Sequence, residues 1–227
     1  MKLEDINLYE VDEISSIKID RGENMRVEIK DFDRKDIFKH YNDKNNPYLY
    51  ITTKIDITNI YKNCKSYYAS IAYFMTLAIN QIDNFKYRYE DNKIFKYEVL
   101  KPNFTQMFDD NNIGFFTCDF KKKYSDFLVE YQDVKEKFHT DHKSYANDDQ
   151  GEIWFSYVPW FNVSSIISPF DKENTIPQFI WDKFYHEDER TFVNLTIMVH
   201  HGFADAYHVK LFLEKFDEIN QNLEQYL

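Results

Sequence analysis

Apolar and polar residues alternate cleanly over 48–57, where Leu49, Ile51, Thr53, Ile55 and Ile57 share one side of an extended chain. A period of two is the signature of a half-buried strand; it recurs at 192–200, and further strands are expected at 104–108, 113–120, 153–157, 162–167 and 176–185. Segments 85–89 and 94–100 read as a hairpin about the turn Glu90-Asp91-Asn92-Lys93. Two shorter strands are expected at 17–19 and 25–29. Helical spacing takes over elsewhere. Asp33 is placed to cap a short helix over 34–41, and Ser66 to cap an apolar one over 67–82 that buries Ile71, Met75, Ala78 and Ile82. A third helix, 125–138, carries Phe127, Leu128, Tyr131, Val134 and Phe138 on one face. The closing helix, 206–227, has Val209, Leu213, Phe216, Ile219 and Leu223 as its stripe. The polar run 139–151 is a loop, since strands resume at once. With no internal repeat and no break in composition, the pattern predicts one α+β domain over 31–227, a mixed sheet flanked by helices, behind a charged leader at 1–30.

Composition narrows the function. A chain of 227 residues buries roughly 70–75% of its unfolded surface and needs neither disulfide nor metal to hold a core. The four glycines, Gly22, Gly114, Gly151 and Gly202, lie far apart, which excludes a Gly-rich phosphate loop. A formal charge of −11 counts against a nucleic-acid partner. The basic run Lys121-Lys122-Lys123 is either a solvated turn before a helix or a contact for a cofactor phosphate. Cys64 and Cys118 lack metal-ligand spacing and fit a reducing cytoplasm; no metal is expected. Residues 1–12 carry no signal-like apolar core, and no 18-residue apolar window exists. The expectation is a cytoplasmic protein with no membrane partner.

The chemistry gathers at His200-His201-Gly202-Phe203-Ala204-Asp205. A doubled histidine at the end of the 192–200 strand puts the second imidazole at the mouth of a loop. An ordinary imidazole, with a pKa near ~6.5, takes a hydroxyl proton at neutral pH. The pattern His-His-x-x-x-Asp therefore points to acyl transfer, with a satisfied structural histidine as the alternative. Ser156 offers a small hydroxyl at a strand end beside the rigid Pro159-Trp160 corner; the plain alternative is a serine bonded to backbone. Arg34 is one of five arginines, and Tyr41 follows two helical turns later on the same face.

Together these features resemble the chloramphenicol acetyltransferase family, a branch of the coenzyme-A-dependent acyltransferases. The resemblance runs over roughly residues 30–226. It takes in the 34–41 helix, the strand Thr52-Thr53-Lys54-Ile55-Asp56-Ile57-Thr58, Ala78-Ile79-Asn80-Gln81, Pro102-Asn103-Phe104-Thr105, Ser156-x-x-Pro159-Trp160 and the His-His-x-x-x-Asp run. It implies a homotrimer with active sites between subunits and acetyl-CoA as co-substrate. It also implies roles: His201 as general base, Ser156 as the hydroxyl that bonds the oxyanion, Asp205 paired with Arg34 to hold the loop, and Tyr41 against the acceptor. Lys54 and Lys183 stand as candidate contacts for coenzyme A phosphates, with a solvated lysine as the alternative for each.

This sequence departs from the family pattern at informative places. Asp205-Ala206-Tyr207-His208 stands where the family has Asp-Gly-Phe-His, and Gly202-Phe203-Ala204 where it more often has Ala-Val-Cys. Trp154 replaces a common asparagine two residues before Ser156, and Ile180 a threonine that assists through water. Trp154 and Ile180 thus become candidate substrate-pocket residues. The implied activity is acetyl transfer to a hydroxyl of chloramphenicol, that is, antibiotic inactivation. Two further readings stay open: the same chemistry on another hydroxyl compound, and a catalytically lapsed small-molecule binder.

Overall fold

The computed structural model describes residues 25–146, 150–169, 171 and 173–227. Its elements run β1 (Arg26–Glu28), α1 (Lys35–Asn42), β2 (Tyr48–Asp56), α2 (Thr58–Asn63), α3 (Tyr67–Ile79), β3 (Tyr87–Glu90), β4 (Lys93–Tyr97), β5 (Lys101–Met107) and β6 (Ile113–Thr117). They continue with α4 (Tyr124–Asp141), β7 (Glu152–Val158), β8 (Gln178–Asp182), β9 (Tyr185–Glu187), β10 (Arg190–His200) and α5 (Ala206–Gln221). The strand expected at 17–19 lies outside the described residues.

Among the described residues the strands form two sheets. The larger has the order β2-β10-β8-β7-β5-β6, with β9 also on β10; only the β8-β7 and β7-β5 pairs are parallel. Strand alternation divides its two faces sharply. Phe104, Phe116, Phe155, Phe179, Trp181, Leu195 and Ile197, each at most 1% exposed, point to one face, against α3, α4 and α5. Thr52, Asn103, Thr105, Ser156, Gln178, Asp182, Asn194 and Thr196 fall on the other. The smaller sheet, β1-β4-β3, is antiparallel and packs Ile29 and Ile94 against Phe32, Phe38 and Phe203.

Several expectations need correcting. Residues 162–167 form no strand. The segment crosses the polar face and bonds to side chains instead: the Val163 N–H donates to Asp182 Oδ2 (2.9 Å), and the Ile166 N–H to Thr196 Oγ1 (3.3 Å). The strands beneath it already have backbone partners on both sides, so no ladder was open to it. The strand expected over 176–185 is broken after Asp182, and the chain resumes as β9 on the same side of β10. At the break Asp182 Oδ1 accepts the Asn194 N–H (2.8 Å) in place of a ladder bond. The α3 helix is not one-sided: residues 69–79 are all buried, as befits a helix apolar all round. Asp33 does not cap α1, whose cap residue is Arg34. In α5 Phe212, outside the expected stripe, is fully buried, while Leu213 is half-buried. The 90–93 hairpin forms as expected, with Asp91 (φ 49°) and Asn92 (φ 62°) in the left-handed region that a two-residue type I′ turn demands.

Candidate active site

The β10–α5 junction is built from several short-range contacts. His200 ends β10 fully buried, its Nδ1 accepting the Gly202 N–H at 3.2 Å. Burial, reinforced by the neighbouring His201, pulls its pKa from 6.5 to about 4, so it is neutral and structural. The chain then turns. The His201 N–H donates to Pro47 O (2.8 Å), and its ring stacks on Tyr41 of α1 at 4.0 Å between centroids, 19° apart in plane. Nδ1 of His201 is buried without a hydrogen-bond partner among the described residues.

Asp205 fastens this loop at both ends. Its Oδ2 accepts from Arg34 (3.0 Å), and its Oδ1 accepts the Tyr207 N–H (2.9 Å) at the start of α5. Burial would raise the Asp205 pKa, but the Arg34 hydrogen bond, the Tyr207 N–H and the Arg34 charge outweigh it and hold the carboxyl below its ordinary range. His208 Nδ1 accepts the Asp205 N–H (3.1 Å), closing a reciprocal cap. It also lies 3.0 Å from Asp205 Oδ1. Burial lowers the His208 pKa, and a nitrogen already accepting a backbone proton has none to give, so this is packing rather than an ion pair. Ala206 is exposed at the first helical position with an ordinary backbone, and its methyl crowds nothing.

Gly202 and Phe203 explain one another. The Phe203 ring stacks on Phe38 of α1 at 4.8 Å, drawing α1 onto the loop. A Cβ on Gly202 would then sit 2.8 Å from Phe38 Cα, too close for any side chain.

A second group lies in the middle of the polar sheet face. Ser156 on β7 faces Ile180 on β8, which faces Thr196 on β10. Ser156 Oγ lies 2.8 Å from Thr105 Oγ1 on β5, and Thr196 Oγ1 lies 2.8 Å from Thr52 Oγ1 on β2. Trp154, half-buried and two residues before Ser156 on the same face, donates from Nε1 to Glu152 Oε2 (3.1 Å).

The sequence profile described as chloramphenicol acetyltransferase matches residues 23–217. The chain belongs to the chloramphenicol acetyltransferase family. It is accordingly an acyltransferase. Among similar proteins, chloramphenicol acetyltransferase 3 of Escherichia coli is 24% identical over 204 residues, covering 86% of this chain and 95% of that one. A chloramphenicol acetyltransferase of Staphylococcus aureus is 25% identical over 218 residues, covering 88% and 98%. A solved chloramphenicol acetyltransferase superposes with a TM-score of 0.76 at 21% identity, over 83% of this chain and 95% of the other. The dihydrolipoamide acetyltransferase of Azotobacter vinelandii shares the fold at 0.62 and 10% identity, over 82% and 86%.

In this acetyltransferase family member the residues singled out from sequence fall into separate places. Arg34, Tyr41, His201 and Asp205 come together. Ser156, Trp154 and Ile180 also come together, but elsewhere. From Ser156 the register crosses two strands to Thr196, and His201 lies five residues further along. At ~4.8 Å per strand and ~3.3 Å per residue, the two groups are roughly 19 Å apart within one chain. One hydroxyl cannot be served by both at that distance.

The candidate phosphate lysines flank β10, backbones about 10 Å apart by the same spacing. Lys183 is exposed and has no side-chain partner among the described residues. Lys54 pairs with Glu187 and lies over the Phe192 ring (3.8 Å). The open cleft of about 370 Å³ beside it also holds Asp56, Asp188 and Arg190, so it carries more carboxylates than cations and suits phosphate poorly. Lys121 pairs with Glu130 (2.6 Å) and Asp119 (3.5 Å), an internal tie at the start of α4. Among the described residues no three His, Cys, Asp or Glu side chains converge as a metal site, and no helix is long and apolar enough to cross a membrane. Sequence reasoning gave no role to Thr105, Thr196 or Thr52. The signal for Thr105 was present in Asn103-Phe104-Thr105, since a buried Phe104 turns both neighbours to the other face.

Proposed function

We propose that this protein transfers the acetyl group of acetyl-CoA to a hydroxyl of chloramphenicol, at sites shared between the subunits of a homotrimer. The observation that carries the reading is His201: its imidazole stacks on Tyr41 in a loop that the Arg34–Asp205 pair ties down, and among the described residues its Nε2 makes no hydrogen bond. In the reaction Nε2 takes the acceptor's hydroxyl proton as the oxygen attacks the thioester carbonyl carbon. The C–O bond forms, and the carbonyl electrons move onto oxygen, where Ser156 O–H donates to them. The oxyanion collapses, the C–S bond breaks, and the imidazolium proton passes to the departing sulfur to give free coenzyme A. Tyr41 lies against the acceptor. Lys183, and Lys54 once freed from Glu187, supply charge for the phosphates of coenzyme A.

The ~19 Å between His201 and Ser156 supports the shared site, because a second subunit's sheet is then needed to bring a serine to each histidine. Trp160, Phe161 and Ile167, 58–69% exposed on the segment crossing the polar face, supply apolar surface for that contact. Trp154 and Ile180 favour a second reading on one point, the acceptor. A bulky indole and an aliphatic wall beside Ser156 fit another hydroxyl compound with a more apolar body.

Thiol release from acetyl-CoA, measured against chloramphenicol and a panel of other alcohols, tests both. His201→Ala is expected to cut turnover by about 10²–10⁴-fold. Light scattering should give three times the 27.7 kDa chain mass. An unchanged rate in His201→Ala overturns the reaction, a fully active monomer overturns the shared site, and turnover confined to other alcohols replaces the acceptor.

A further inference from the structure

Ser156 can serve an oxyanion only if its single proton points away from the sheet. Among the described residues its hydroxyl has one hydrogen-bond partner, Thr105 Oγ1 at 2.8 Å, and Thr105 Oγ1 has no other. The β8 flank offers nothing, since the residue facing Ser156 there is Ile180. Two hydroxyls carry two protons between them, so two arrangements exist. If Ser156 donates to Thr105, its proton is spent within the pair. If Thr105 donates to Ser156, the Ser156 proton is free to point outward, and the bond it receives polarises it further.

We infer that Thr105 is a positioning residue for the acyl-transfer step, holding the Ser156 hydroxyl as an outward donor by giving it a proton from the side. The inference rests on the proposed role of Ser156. Thr105 suits the task because its β-branched side chain is stiff at χ1, whereas serine is not. The backbone beneath both is fixed independently. The one proton of the Tyr68 phenol on α3 is shared between Thr105 O (3.0 Å) and Phe155 O (2.8 Å), just beyond the last paired residues, Phe104 and Phe155. Thr105→Val, which keeps the shape and that backbone bond, therefore removes the hydroxyl alone.

Steady-state acetyl transfer is compared in Thr105→Val, Thr105→Ser, Ser156→Ala and the Ser156→Ala/Thr105→Val double variant. Thr105→Val is expected to lower kcat by about 3–10-fold, the worth of one hydrogen bond, with KM for acetyl-CoA unchanged. Thr105→Ser restores most of it. In the Ser156→Ala background Thr105→Val costs nothing more, because the hydroxyl it would orient is gone. A full kcat in Thr105→Val while Ser156→Ala is impaired overturns the inference and leaves the role of Ser156 intact. An equal loss in both backgrounds also overturns it, since Thr105 then acts through general structure. An unimpaired Ser156→Ala, or a wild type that acetylates no hydroxyl acceptor, overturns the proposed function and this inference with it.

Discussion

The β10–α5 corner and the middle of the polar sheet face hold the two halves of the proposed chemistry, and they are made in opposite ways. At the corner, Asp205 is tied to Arg34 and to the α5 N-terminus, His200 is sealed among Phe38, Tyr48 and Phe203, and Gly202 touches the α1 backbone. Moving any part disturbs packing. On the sheet face, Ser156 and Thr105 are held by strand register, and among the described residues their hydroxyls bond only to each other. The first region couples function to stability; the second leaves them separable.

Ser156→Ala should separate them most widely. Loss of the proposed oxyanion donor is expected to lower kcat by about 10²–10³-fold. Because no core contact is removed, the unfolding temperature should move by no more than about 2 °C. A large fall in melting temperature would show that the sheet face is as structural as the corner.

The corner should instead answer to acid. The folded state keeps His200 neutral down to about pH 4, while an unfolded histidine protonates near its ordinary 6.5. Between those values the unfolded chain binds the extra proton, so stability falls as pH falls, by roughly 3 kcal/mol in all. The contribution is complete above pH 6.5 and lost by pH 4. His200→Asn keeps an acceptor for the Gly202 N–H and removes the titration. Urea unfolding at a series of pH values should show a flatter dependence for this variant, and parallel curves for the two proteins would refute the assignment.

What could be read in advance follows the same division. The corner was legible because its members are contiguous: a doubled histidine after an alternating strand, an aspartate before a helix. The Arg34–Asp205 pair, which the family resemblance implied across 171 positions, forms as expected. The sheet face was not. That Ser156 meets Thr105 depends on β5 and β7 lying side by side in a particular register, which no local pattern states. The same ignorance of register made 162–167 look like a strand. Its Val163, Ile166 and Ile167 are β-branched residues of the kind strands favour, yet β8 and β10 had no free edge there, and Asp182 and Thr196 took its N–H groups instead. Asp33 looked like the better cap for α1, but Arg34 occupies that position and turns its guanidinium to Asp205.

A finer distinction lies within the corner, between Gly202 and Phe203. The pair stands where the family more often has Ala-Val, and the contact of Phe203 with Phe38 explains why both differ together. With α1 drawn in by that ring, an added methyl at 202 meets Phe38 Cα at 2.8 Å and Phe38 Cδ2 at 2.9 Å. Side-chain rotation does not move a backbone atom, so Gly202→Ala forces α1 and the loop apart. Overpacking of this kind costs about 1–3 kcal/mol, a melting temperature roughly 2–12 °C lower in a chain of this size. It also shifts Tyr41 relative to His201, so turnover should fall with it. Phe203→Val alone leaves a void against Phe32 and Phe38 and carries a cost of its own. Combined, the two changes should cost less than their sum, because the smaller side chain lets α1 move to admit the methyl. Thermal unfolding of the four proteins in this cycle measures that coupling. Strict additivity would mean that Phe203 does not set the α1 approach and that Gly202 answers to something else.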